Sequence, residues 1–502
     1  MTRQMEYEYG VLLVSCTPSI LGLYNKTDDK ELRHTALILG MLALVTGVLE
    51  KIKLPVALSR NGSPGLFYGY VVVAAVLLQC SMNQEMHAKQ FMAMSMELTH
   101  FSIWMILFSL TSWLFKCSSA TINSYIRDFA LVTIIGYFMH AALNLPINLT
   151  LFLRVVSCLV VIKITSYYLP NCFTLGEMLL LYNLLTTFLL NVTYFESNFE
   201  ITVIATWVLF FVMLFLMSLI PICLVGIMST WYFYSSGFLL LACLLIVLSE
   251  SIVPNAIHWT IDFLWANWPH RQLLLISWLI EIFITVLYVT FWRDHNGKSS
   301  TSERKIFHII ILLTYIPGIW YDIPLLLLCS VGSVCILLIL ETMRVLKIPP
   351  LEKVLNDSLS VFIDAQDSGC LILTPVYLLL GQSLPIWISC LQDPSLLTNP
   401  NSKVPIAAYS GILSVGLGDT AASVIGSNFG RHRWMGTNKT VEGTFAAFFA
   451  QSAFVIFLSE TNSLIYVFIA ILSVSLIEAF TCQIDNLILP SYMFFLLNVQ
   501  SL

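Results

Sequence analysis

The feature that most constrains this chain is repetition: apolar runs of membrane-crossing length recur from one end to the other. They fall near residues 35–50, 67–80, 101–116, 129–147, 149–170, 178–192, 201–221, 223–249, 273–292, 306–321, 324–343, 371–390, 404–418, 444–459, 463–480 and 486–499, with a weaker one at 10–23. A spanning helix needs about 20 mostly apolar residues, and several of these runs are short or fused. The pattern therefore predicts an all-α polytopic transmembrane helical bundle of about 13–17 membrane helices. Composition agrees, since 58% of residues are hydrophobic and only 11% are charged. A soluble domain carries about 25% charged residues, so the surplus apolar surface here must face lipid.

Other global features are less informative. The net charge of −5 is spread thinly, and no basic patch interleaved with stacking aromatics suggests nucleic acid. The twelve cysteines are scattered through apolar runs without a Cys-x-x-Cys pair and read as small packing residues. The first nine residues are partly acidic and lack the pattern of a signal peptide, so insertion is expected to use the first spanning helices.

Polarity divides the chain in two. Residues 1–292 are apolar runs joined by ordinary short loops and form an N-terminal membrane region whose role the sequence does not disclose. In residues 293–502 the polar residues crowd into three loops: Arg293–Lys305, Glu341–Gly369 and Asp419–Gly443. Counting crossings between them puts all three on one face. Together they carry Arg293, Lys298, Arg304, Lys305, Arg344, Lys347, Lys353, Arg431, Arg433 and Lys439, whereas the opposite loops carry Lys403 alone. The excess of cations predicts that the polar loops are cytosolic.

The third loop, about 416–444, has the composition of a phosphate site. Glycines let backbone amides approach phosphate oxygens. Lys439, with Arg431 and Arg433, can neutralise phosphate charge. A helix beginning near Val441 would aim its first amides at an anion, and Asp419 could ligate Mg²⁺ beside phosphates. No Gly-x-x-x-x-Gly-Lys-Ser/Thr is present, so this is not a P-loop. The plainer reading is a tight turn with glycine for flexibility and basic residues as topology anchors.

The order of residues in this loop resembles the CTP-binding region of dolichol kinases: Gly418-Asp419-Thr420-Ala421-Ala422-Ser423, Gly426-Ser427, Gly430, Arg433-Trp434, Gly436-Thr437 and Lys439-Thr440-Val441-Glu442-Gly443-Thr444, with Phe429, Arg431 and Asn438 beside them as further expected nucleotide contacts. The segment Phe362–Gly369, which holds Asp364 and Asp367, and the closing segment Leu476–Pro490 are similar to further parts of that family. Arg304-Lys305-Ile306-Phe307-His308 and Glu341-Thr342-Met343-Arg344 resemble shorter elements of the wider polyprenol and phytol kinases. The resemblance covers about residues 300–500. It implies an endoplasmic reticulum enzyme that uses CTP and a divalent cation such as Mg²⁺ to phosphorylate dolichol or a related polyprenol, making the lipid carrier for protein glycosylation. It also implies that residues 418–444 named above contact the nucleotide.

The remaining polar candidates each admit two readings. Asp364 and Asp367, three apart, could take the proton of the lipid alcohol or hold a second metal position, or they could be a solvated acidic patch. Glu478 and Asp485 flank the polar break Thr481-Cys482-Gln483 and could serve Lys439 or a metal, or simply organise the turn. Arg304, Lys305 and His308 read equally as topology anchors and a structural histidine. A phosphatidate cytidylyltransferase also uses CTP, metal and a similar Lys-Thr-x-Glu-Gly loop. Its closing motif looks like His-Gly-Gly-x-x-Asp-Arg-x-Asp, and Thr481-Cys482-Gln483-Ile484-Asp485-Asn486 stands in its place here. A transporter is the alternative outside enzymes, but its polar groups would be expected near the bilayer midplane, often on paired repeats.

Overall fold

A computed structural model describes residues 30–51, 65–83, 88–114, 149–194, 200–225, 229–251, 255–295, 301–360, 369–399, 402–458 and 464–498, with most of residues 4–16. Asp364, Asp367, Lys298 and the apolar run 129–147 lie outside the described residues. In chain order the longer helices are α1 (Lys30–Lys51), α2 (Val73–Asn83), α3 (Ala88–Leu114), α4 (Leu149–Tyr168), α5 (Leu175–Tyr194) and α6 (Glu200–Val225). There follow α7 (Thr230–Ser251), α8 (Ala256–Trp265), α9 (His270–His295), α10 (Thr301–Tyr321), α11 (Ile323–Val345) and α12 (Glu352–Ser360). The last five are α13 (Thr374–Gln392), α14 (Thr420–Phe429), α15 (Val441–Leu458), α16 (Leu464–Phe480) and α17 (Asp485–Asn498).

Among the described residues the one extended pairing is an isolated bridge between Arg433 and Thr440. Among the described residues six helical stretches are long and apolar enough to cross a bilayer: Glu200–Leu219, Thr230–Glu250, His270–Val289, Ile323–Val345, Thr374–Gln392 and Val441–Leu458. Five shorter apolar helices accompany them. At 1.5 Å per residue, about 20 residues match the hydrocarbon thickness of about 30 Å. The protein is an all-α, multi-pass membrane protein.

The chain forms two compact units. One comprises Met1–Leu185, Ile465–Ile484 and Phe494–Leu502, and the other Thr186–Leu464 with Asp485–Met493. The division at residue 292 marks where polar loops begin, which is a different partition from compactness.

In the first unit, polar side chains do the joining inside an apolar core. Helix α5 opens with a reciprocal cap: Glu177 N donates to Thr174 Oγ1 at 3.2 Å, and Thr174 N donates to Glu177 Oε2 at 3.0 Å. The other Glu177 oxygen accepts the Ile484 amide at 3.1 Å, and Thr174 Oγ1 donates to Gln483 Oε1 at 2.8 Å. Thr481 Oγ1 and Tyr68 OH both donate to Glu8 Oε1, at 2.9 and 3.0 Å. The polar break at 481–484 is thus a junction whose backbone and side-chain groups find partners within this unit, as burial requires.

In the second unit, α10 and α11 are separated by Asp322 alone, whose non-helical backbone breaks the two helices apart. Asp322 caps α11 by accepting the Leu325 amide at 3.0 Å, and Pro324 at the helix start suits that position. Its carboxylate also takes both arms of Arg271 from α9, Nε at 2.6 Å and Nη2 at 3.0 Å. This clamp ties the start of α9 to the turn between α10 and α11. Helix α13 is central: Trp387 Nε1 donates to Ser330 Oγ at 2.8 Å, and Gly381 has no room for a Cβ beside the Asn486 carbonyl. Helix α9 instead presents Leu279, Ile280, Ile282, Phe283 and Ile284 outward, a lipid-facing surface.

Candidate active site

The site is assembled from α10 and from the chain between residues 412 and 444. Ile412–Asp419 is wound as a π-helix before α14 continues the same rod. Wide turns of this kind are uncommon and often mark functional positions. Two glycines let neighbours approach it closely. A Cβ on Gly416 would collide with the Leu312 side chain of α10, and one on Gly418 would lie 2.5 Å from Gln451 Nε2 of α15.

On α10, Lys305, His308 and Leu312 follow helical spacing along one face. The packing of Leu312 on Gly416 therefore brings the two polar residues to Asp419. That carboxylate is 1% exposed. Lys305 Nζ donates to Asp419 Oδ2, and His308 Nδ1 stands 3.4 Å from the same oxygen. Asp419 lies just past the apolar run 404–418. Burial alone would raise its pKa, but Lys305, then His308 and Lys439, pull it below the usual carboxylate range. Asp419 is accordingly a charged group whose counter-charges are built into the fold.

Beyond α14 the chain reverses in a short hairpin. Thr437 N donates to Trp434 O at 3.2 Å across a turn whose third residue, Gly436, has φ +81°. Only glycine occupies that position without strain. Trp434 N donates to Lys439 O at 3.0 Å and Val441 N to His432 O at 2.8 Å. Thr437 Oγ1 accepts the Lys439 amide at 3.2 Å, and Trp434 Nε1 donates to Thr444 Oγ1 at 2.9 Å. Glu442 accepts the His432 amide at 3.2 Å and contacts its ring Nδ1 at 2.7 Å. Arg431, Arg433, Asn438 and Lys439 are exposed, as are the apolar Phe429 and Met435. The result is a cation-bearing rim outside a buried carboxylate.

The structure assigns the loop glycines a use that composition did not suggest. Gly426, Gly430 and Gly443 surround Thr440: a Cβ on Gly426 would lie 2.8 Å from Thr440 Oγ1, and one on Gly443 would lie 2.8 Å from the Ala422 carbonyl. They allow α14 and α15 to pack closely. The amides at the start of α15 also differ from expectation. The helix begins at Val441, but the Val441 amide is taken by His432 O, the Gly443 amide by Thr440 Oγ1 at 3.2 Å, and the Thr444 amide by Thr440 O at 3.1 Å. Thr440 is the side-chain cap of this helix start.

Among the described residues no group of three or more His, Cys, Asp or Glu that could hold a metal is found. Glu478 is buried in α16 of the first unit. Asp485 begins α17, and its Oδ1 accepts the Asn486 amide at 2.9 Å. An ion held mainly by phosphates remains compatible with the donor set, because Mg²⁺ commonly takes only one or two protein carboxylates. Thr420 Oγ1, next to Asp419, is buried and has no hydrogen-bond partner, which supplies a second hard oxygen.

Glu341 and Arg344 organise the approach to α13. Glu341 Oε1 accepts the Ile372 amide at 2.6 Å and Arg344 Nη2 at 2.7 Å, and Arg344 Nη2 also donates to Cys370 O at 2.6 Å. Lys305 and His308 are the site residues that sequence reasoning left undecided. Their three-residue spacing at a helix start was visible, but nothing in the sequence pointed to Asp419 as their partner.

The fold and site together define an all-α, multi-pass membrane protein with a buried, cation-compensated carboxylate behind a basic rim. Comparison makes this specific. The family model described as dolichol kinase matches residues 121–380, reaching back well before residue 300, and the chain belongs to the dolichol kinase family. It is 38% identical over 369 residues to the dolichol kinases of Homo sapiens and Bos taurus. Those matches cover 66% of this chain and 66% of each relative, just under two thirds of the relatives' length. Identity to the dolichol kinase of Saccharomyces cerevisiae is 28% over 251 residues, covering 48% of this chain and 44% of the relative. No solved structure matches the chain.

Proposed function

We propose that this protein transfers the terminal phosphoryl group of CTP to the hydroxyl of dolichol, in the endoplasmic reticulum membrane and on its cytosolic face. Family membership supports the reaction class. The observation that carries the site is Asp419, ionised and buried between Lys305 and His308 of α10, beside a loop of exposed cations. Phosphoryl transfer is mainly positioning and electrostatic stabilisation, and such a site offers both.

In this reading Lys439, Arg431 and Arg433 hold the triphosphate, while Asp419 and the Thr420 hydroxyl hold the divalent cation that enters with it. When bound, that cation offsets charge on the phosphates. The apolar tail of the alcohol lies in lipid and its hydroxyl reaches the boundary where α10 begins. The alcohol oxygen bonds to the γ-phosphorus as the bond to the β–γ bridging oxygen breaks. CDP leaves, and the hydroxyl proton passes to Asp364 or Asp367. Purified protein with labelled CTP and a panel of lipid alcohols tests the proposal. Labelled dolichyl phosphate with one CDP per turnover is expected. Pyrophosphate release would instead indicate a cytidylyltransferase, and absence of lipid labelling would end the kinase reading.

A further inference from the structure

Lys305 has no role in the scheme above, yet it is the group that Asp419 holds. The pair is well shielded, with side-chain exposures of 11% for Lys305 and 1% for Asp419. A carboxylate this deep cannot stay charged without a compensating cation. Before substrate arrives, that cation is Lys305. The hydroxyl of Thr420, the next residue in the chain, is buried without a partner, an idle oxygen donor. A carboxylate, a hydroxyl and phosphate oxygens are what a hard divalent cation selects. Such an ion would bring the charge that the ammonium now supplies. Lysine suits an exchange because it is a compact charge on a flexible four-carbon stem, whereas arginine is a rigid fork that favours staying on a carboxylate.

Resting on the phosphotransferase reading, we propose that Lys305 is a placeholder cation. It holds Asp419 in the empty site and moves to the terminal phosphate when the metal–nucleotide complex takes the carboxylate. His308 flanks the same oxygen from the next turn of α10 and keeps a second donor beside it during the change. One consequence is that metal without nucleotide binds poorly, because the ammonium competes for Asp419 and no phosphate is present to receive it.

The test uses the full chain in detergent and Mn²⁺ alone as the probe, read by electron paramagnetic resonance, together with melting temperature and kinetics. Lys305→Met is expected to melt several degrees below wild type. Adding Asp419→Asn should restore much of that loss by removing the orphaned charge. Without nucleotide, Lys305→Met should bind Mn²⁺ at least about tenfold more tightly than wild type, and the double variant should lose that gain. Turnover of Lys305→Met should fall by about 10²-fold, with a smaller change in the KM for CTP. Equal Mn²⁺ affinity in wild type and Lys305→Met, or a double variant that melts no higher than the single one, overturns the proposal. If Lys305→Met does not fold, Lys305→Arg takes its place: it should melt like wild type but turn over slowly, and a normal rate refutes the exchange. Wild-type protein that fails to phosphorylate dolichol would sink the functional reading instead, leaving the Mn²⁺ and melting results interpretable on their own.

Discussion

Replacing Glu341 with leucine removes the acceptor for several contacts at once. The Ile372 amide donates to Oε1 at 2.6 Å, while Arg344 donates from Nη2 to Oε1 at 2.7 Å and from Nε to Oε2 at 2.9 Å. Through Arg344 the clamp also holds the Cys370 carbonyl, three residues after Asp367. A buried amide left without an acceptor costs about 1–3 kcal/mol. Breaking a buried ion pair by removing one partner costs about 3–5 kcal/mol. The pair retains 11% and 7% exposure, which favours the lower end, and burying leucine returns part of the loss. A net cost of about 3 kcal/mol is expected, or about 10² in the population of the ordered segment. If that segment delivers Asp364 or Asp367 to the alcohol, kcat should fall toward that factor. Equilibrium CTP affinity, which the proposal assigns to the 416–444 loop, should change by less than about threefold. Glu341→Gln keeps an acceptor for Ile372 and should fall between. Steady-state kinetics and CTP binding on the same detergent-purified variants measure both quantities. Wild-type turnover by Glu341→Leu would refute the clamp, and a parallel loss of CTP affinity would move the segment into the nucleotide site.

Lys439→Ala is expected to raise the KM for CTP, whereas Asp364→Asn or Asp367→Asn should lower kcat with CTP affinity largely kept. Equal loss of CTP binding in all three would assign the aspartates to the metal–nucleotide site. Cysteines placed at Lys353 and Arg433 should react with an impermeant reagent from the same side of sealed microsomes, and labelling from opposite sides would break the proposed face apart. Gly443→Ala sets about 1–3 kcal/mol of overpacking against the Ala422 carbonyl against about 1 kcal/mol of better helix propensity, so melting should occur at a lower temperature. Melting at or above wild type would show that α14 and α15 separate without cost.

Hydropathy by itself determined that this chain is a membrane-spanning helical protein, because apolar runs of about 20 residues have no other stable place in water or lipid. Residue order in the 416–444 loop marked Asp419 and a helix starting near Val441, both local properties, and the helix is found at Val441–Leu458. Tertiary structure decided what surrounds them. Lys305 reaches Asp419 across 114 positions of chain because Gly416 admits Leu312 and Gly418 admits Gln451. No rule of spacing expresses such a contact, since it depends on which helix faces meet. The same holds for Gly426, Gly430 and Gly443, whose composition suits both a phosphate cradle and a close helix crossing. In this fold Thr440 occupies the space between them, so the close crossing they permit depends on packing that residue type does not express.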